Sequence, residues 1–135
     1  MDNISIERIW QDEHMYEIRV FAKNDFVQAV INIYIQDISD LANLFIAYPH
    51  DNLNYEWQHG DDDKGLSFRV IPKDKLGHLL VKIEMLDEWG LSANHFRCCL
   101  NIETEIGMLN SFGERLIQIN QSIIGTKIIL NEYAE

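Results

Sequence analysis

Apolar and polar side chains alternate most regularly between Met15 and Ile35. Tyr16, Ile18, Val20 and Ala22 fall on one side of an extended segment, and Val27, Ala29, Ile31 and Ile33 on one side of the next. Asn24 and Asp25 tolerate the positive φ of a tight hairpin turn. With those two at the tip, Lys23 pairs with Phe26, and the inward pairs are Ala22 with Val27, Val20 with Ala29, Ile18 with Ile31 and Tyr16 with Ile33. From Asp37 the period lengthens to that of a helix, with Ile38, Leu41, Leu44, Phe45 and Tyr48 on one side, Asp37 placed to cap, Asp40 in the first turn and Pro49 as the stop.

Short strands are predicted at Tyr55 to His59 and Leu66 to Ile71, joined by a turn through Asp61, Asp62 and Asp63. A long strand carrying Leu79, Val81, Ile83 and Met85 inward then pairs with one carrying Phe96, Cys98, Leu100 and Ile102. Setting Met85 against Phe96, Ile83 against Cys98, Val81 against Leu100 and Leu79 against Ile102 keeps apolar residues opposite one another. Thr104 can cap a second helix with Ile106, Leu109, Phe112, Leu116 and Ile119 inward. Gly107 and Gly113 inside it point to close backbone approach, and Thr126 to Leu130 reads as a last strand. The expectation is one α+β domain over residues 1–135. It has a mostly antiparallel sheet of about six to seven strands with two helices packed on one face, in the order ββαββββαβ.

Length changes this picture little: 135 residues can bury a core without metals or disulfides. Charge changes it more. Asp and Glu number 22 against 11 Lys and Arg, a formal net charge of -11, which disfavours nucleic acid and anionic membranes and favours cationic partners. The acids spread over turns and helix starts, with Asp61 to Asp63 the only run. Met1 to Arg8 lacks the basic start and apolar stretch of a secretion signal, and no apolar run is long enough to span a bilayer. The adjacent Cys98 and Cys99 are poorly placed for a mutual disulfide, so a reducing cytoplasm is expected.

Candidate chemistry is sparse. His59 with Asp61, Asp62 and Asp63 lacks calcium-loop spacing and is one residue short for zinc, so a solvated acidic turn is the better reading. The five histidines are scattered, Cys98 falls in the predicted core, and phosphate-loop, hydrolase-elbow and dinucleotide motifs are absent. Neighbouring carboxylates such as Asp87 and Glu88, or Glu103 and Glu105, arise readily in so acidic a chain. No cofactor, metal or catalytic residue is called for. The outward positions of the strands are more informative, because aromatic, apolar and Arg residues interleave there as in an interface core. The partner-binding candidates are Arg19, Phe21, Tyr34, Trp57, Asp61, Asp62, Asp63, Arg69, Trp89 and Arg97, while Trp10 is expected to pack the N-terminal segment.

Met15-Tyr16-Glu17-Ile18, Tyr55-Glu56-Trp57 with Gly60, Gly77-His78, and Glu103-Thr104-Glu105 before Phe112-Gly113-Glu114 together resemble a group of small bacterial proteins that is itself similar to toxin-neutralising immunity proteins. The resemblance implies a binding role and assigns no residue. The leading expectation is therefore a non-enzymatic cytoplasmic binding protein that offers acids around an aromatic patch to a basic protein partner, which the resemblance implies is a toxin. One alternative is a small-molecule binder or enzyme with a pocket between sheet and helices, using Arg69 or Arg97 for an anionic ligand. Another is a homo-oligomeric subunit.

Overall fold

A computed structural model describes residues 2–49, 55–88, 95–121 and 123–132. The strands are β1 (Asn3–Gln11), β2 (Tyr16–Lys23), β3 (Gln28–Ile35), β4 (Glu56–Gly60), β5 (Lys64–Pro72), β6 (His78–Asp87), β7 (Phe96–Glu105) and β8 (Lys127–Ile129). Helix α1 (Ser39–Ala47) joins β3 to β4, and α2 (Ile106–Leu116) continues into a 3₁₀ turn, Ile117–Gln121, before β8. The α+β class and the antiparallel pairing stand as expected; the strand count and the single sheet do not. The described residues form two four-stranded antiparallel sheets, β3-β2-β1-β8 and β4-β5-β6-β7.

The extra strand is β1. Ile4 and Ile6 alternate correctly, but the next inward position holds Arg8 and the pairing with β2 slips between Arg8 and Trp10, so the apolar pattern breaks off early. Arg8 is nevertheless buried. Its Nη1 donates to the Ile119 carbonyl at 2.6 Å, its Nη2 to Gln11 Oε1 at 2.6 Å, and its guanidinium lies 4.5 Å from the centre of the Tyr16 ring. An arginine where alternation calls for an aliphatic residue thereby ties the 3₁₀ turn to the first sheet.

Both long hairpins pair two residues out of the expected register. Ala22 faces Ala29, Val20 faces Ile31, Ile18 faces Ile33 and Tyr16 faces Ile35. Met85 faces Cys98, Ile83 faces Leu100, Val81 faces Ile102 and Leu79 faces Thr104. In each case the centre of pairing lies one residue later, so every partner moves by two and every side chain keeps its face. In the first hairpin the tip is Asp25-Phe26. Asn24 N–H donates to the Val27 carbonyl at 2.9 Å, while Asn24 Oδ1 accepts from the backbone of Phe26 at 2.9 Å and Val27 at 2.8 Å. That Asx-type turn leaves Val27 exposed and brings Ile35 into the core.

The inner faces of both sheets and the buried sides of both helices form one apolar cluster. Phe45 of α1 sits at its centre, its ring 5.7 Å from Phe68 of β5 and 5.6 Å from Phe112 of α2. The helices pack chiefly on one another, and Gly113 allows the approach: a Cβ there would stand 2.7 Å from the Ala42 carbonyl oxygen. Thr104 caps no helix. It is a buried residue of β7 whose hydroxyl donates to Asn131 Oδ1 at 2.7 Å, and α2 starts directly after the strand.

Candidate functional site

The split into two sheets separates the residues expected to share one face. Arg19, Phe21 and Tyr34 stand on the outer face of the first sheet, where Arg19 lies 3.8 Å from Glu7. Arg69 and Arg97 stand on the outer face of the second, opposite Glu56 and Leu86 respectively. They share no face with Arg19. They also point away from the interior, which Phe45, Phe68 and Phe112 fill, so an anion pocket between sheet and helices does not have these arginines in it. Arg97 instead borders a shallow depression of about 340 Å³ that also holds Glu56, Gln58, Ser67 and Glu84. Trp89 lies outside the described residues.

Three of the candidates, Tyr34, Trp57 and Asp61, do come together, with His59 between them, at the seam where the end of β3 meets β4. Trp57 faces inward, half-buried against Phe68 at 6.0 Å, and stacks on His59 with ring centres 5.8 Å apart and planes at 8°. His59 Nε2 donates to the Tyr34 carbonyl at 2.7 Å, a bond that links the two sheets across their edges. Tyr34 projects outward and meets Trp10 edge-on at 5.8 Å and 88°. Trp10, expected to pack the N-terminal segment, is 42% exposed and belongs to this aromatic group.

Two open grooves share Tyr34 and His59. One, of about 460 Å³, is lined by Met15, Asp37, Asp40 and Trp57 as well. The other, of about 250 Å³, adds Ile33, Gly60, Asp61 and Lys64. The aromatic floor thus carries a carboxylate rim. Asp37 is held below the usual carboxylate range first by the Ser39 hydroxyl, then by the Ser39 backbone N–H and the Asn120 amide. It is therefore an anion at neutral pH. Asp40 sits in the first turn of α1.

Asp61 is committed to its own turn. Its Oδ1 accepts the backbone N–H of Asp63 at 2.8 Å and of Lys64 at 3.0 Å, and these bonds hold its carboxyl low. Gly60, with φ of 111°, starts that turn, and a Cβ there would collide with the Lys64 carbonyl oxygen. Asp62 and Asp63 are exposed on the turn. Among the described residues no group of three or more His, Cys, Asp or Glu side chains is placed to hold a metal ion.

The residue that organises this end of the molecule is one the sequence pattern gave no reason to choose. Asn120, in the 3₁₀ turn, accepts from the Tyr16 hydroxyl at 2.5 Å and from Ile38 N–H at 3.1 Å, and donates to Asp37 Oδ1 at 2.8 Å and Ser39 Oγ at 3.0 Å. Three of the four bonds converge on the junction of β3 and α1 and the fourth ties it to Tyr16 of β2, fixing the acidic rim of the larger groove. Tyr16, buried beneath it, has its hydroxyl pushed up to about 12 by loss of solvent. A sequence signal existed only in that Asn120 follows Ile119, the last inward residue of the helical pattern.

No protein-family model, curated protein or solved structure matches the chain. Among the described residues, no helix is long and apolar enough to cross a membrane.

Proposed function

We propose that this protein is a non-catalytic binding protein whose groove at the seam of the two sheets takes a basic side chain or segment of a protein partner. The observation that carries the reading is the placement of Tyr34, Trp57 and His59 in one open groove with the carboxylates of Asp37 and Asp40. An arginine or lysine entering it meets ring faces and fixed negative charge together, the two features that recognise such a group. Trp10 beside Tyr34 extends the contact surface, and aromatic anchors of this kind supply most of the affinity of an interface. The net charge of -11 speeds encounter with a basic partner and makes it salt-sensitive. A basic toxin is the partner class that the sequence resemblance implies.

The test is capture from the native host at low salt with the wild-type protein, the Asp40→Lys variant and a Glu114→Lys control of equal charge change. Both substituted residues are exposed, and Glu114 does not line the groove. A basic protein held by wild type and control, released by salt and lost from Asp40→Lys, supports the reading. Equal retention by all three, or none by the wild type, refutes it.

A further inference from the structure

Each four-stranded sheet has two edges, and three of the four edges are blunted. Strand β8 has three residues and includes Lys127. Strand β4 has five, including Glu56, and ends at Gly60. The outward backbone groups of β7 are taken by side chains: Asn24 Nδ2 donates to the Asn101 carbonyl at 3.2 Å, Asn131 Nδ2 to the Glu103 carbonyl at 2.9 Å, and Glu103 N–H to Asp2 Oδ2 at 2.9 Å. Strand β3 differs. It is eight residues long, Gln-Ala-Val-Ile-Asn-Ile-Tyr-Ile, without a charge, a proline or a register shift.

The ladder with β2 counts from the Asn24 to Val27 bond, so residues 29, 31, 33 and 35 bond to β2. The N–H and C=O of Gln28, Val30, Asn32 and Tyr34 therefore point to the open side. The Tyr34 carbonyl takes His59, and among the described residues no hydrogen bond from another element reaches the other three backbones. The exposed apolar side chains gather on the same stretch. Of nine large exposed hydrophobic residues among the described residues, Phe26 (92%), Val27, Val30 and Tyr34 lie within nine positions.

We infer that β3 pairs antiparallel with β3 of a second copy about a two-fold axis at Val30, joining the two first sheets into one eight-stranded sheet. Charge selects the occupant. Two chains of net charge -11 repel, and β3 is a long edge strand whose own side chains include no acid, so pairing along it sets no carboxylate of one strand against a carboxylate of the other. Antiparallel self-pairing sets 28 against 32, 30 against 30 and 32 against 28, which uses only the unoccupied backbone groups. The same register carries Phe26 toward Tyr34 of the second copy, giving the most exposed apolar side chain an aromatic neighbour. The inference shares Tyr34 with the groove but rests on the backbone of Gln28, Val30 and Asn32, none of which lines it, so Val30 variants test the pairing and Asp40→Lys tests the groove.

Sedimentation and amide exchange test it. The wild type is expected at twice 15.8 kDa at micromolar concentration, with the Val30 and Asn32 amides protected. Val30→Lys and Val30→Glu each put like charges opposite one another at the axis, so each alone sediments as a monomer with those amides exposed. Mixed in equal amounts they recover the dimer. Val30 is about half exposed, so both variants keep the wild-type circular dichroism spectrum and, as monomers, melt below the dimeric wild type; Gln28→Lys combined with Asn32→Lys, which face one another across the axis, replaces Val30→Lys if that variant loses the spectrum. A monomeric wild type, a Val30→Lys variant that stays dimeric, or charge variants that fail to recombine each overturns the proposal.

Discussion

Two glycines of α2 make a matched pair in which one substitution has opposite effects. In a helix interior Ala is favoured over Gly by about 1 kcal/mol, because Gly gives up more backbone freedom on folding. At Gly107, the second residue of α2, a Cβ would find nothing within 4 Å, so Gly107→Ala realises part of that interior gain, about 0.5 kcal/mol. At Gly113 the same carbon would stand 2.7 Å from the Ala42 carbonyl oxygen, 2.9 Å from Ile46 Cγ1 and 3.0 Å from the Ile46 nitrogen. Two of those three atoms are backbone, so no rotamer change relieves the contact, and α1 and α2 must separate. Overpacking costs about 1–3 kcal/mol, and a clash with fixed atoms belongs at the upper end. After the propensity gain, Gly113→Ala loses about 2 kcal/mol net.

For a chain of this size that is a fall in Tm of roughly 6–8 °C, against a rise of about 2 °C for Gly107→Ala. Thermal and urea melts followed by circular dichroism give both numbers from two variants and the parent. If Gly113→Ala melts at or above the wild type, the helices are not in backbone contact and the account of the core is wrong. If the two variants shift together, propensity alone governs the helix. The result also bears on the groove, because α1 is held by α2 and carries Asp40 on its first turn.

Asn120→Ala strands the buried Tyr16 hydroxyl and the Ile38 N–H, each at about 1–3 kcal/mol, so a loss of roughly 3 kcal/mol is expected in urea titration; a loss under 1 kcal/mol would show that solvent replaces these bonds. Asp12, Asp61 and Asp74 are held below their ordinary 3.8, the first two by backbone N–H groups and the third by the His78 side chain. Their folded-state contribution is present above that value and declines as pH falls through the lower folded values, where the unfolded chain binds more protons. Asp61→Asn removes that share, so its stability deficit against wild type is expected to shrink on acidification below about pH 4, and a constant deficit would contradict the turn assignment. Asp40→Lys is expected to raise the salt sensitivity of stability little and to abolish partner capture, which separates a rim charge from a structural one.

Much of the fold was legible from period alone. Tyr16, Ile18, Val20, Ala22, Ile31 and Ile33 face inward as their alternation predicts, and so do Leu79, Val81, Ile83, Met85, Leu100 and Ile102. Helix α1 buries Leu41 and Phe45, and α2 buries Leu109, Phe112 and Leu116. What failed was partner choice. The registers slipped by two, β1 went unseen behind Arg8, and one sheet became two. Of the site candidates, Tyr34, Trp57 and Asp61 converge on the seam while Arg69 and Arg97 do not.

Alternation records which way each side chain points, and it determined that much of this protein without help, because a strand buries one face whatever lies beside it. It is silent on which strand lies there, since a slip of two residues, or the exchange of one neighbouring edge for another, leaves every side chain on the same face. Only tertiary structure decided that β3 and β4 meet as two edges bridged by His59 rather than as paired strands. Asn120, reaching Tyr16 from 104 residues away, likewise owes its partners to where the chain returns. The faces came from local pattern; the seam, and with it the groove, came from the packing of two sheets around one pair of helices.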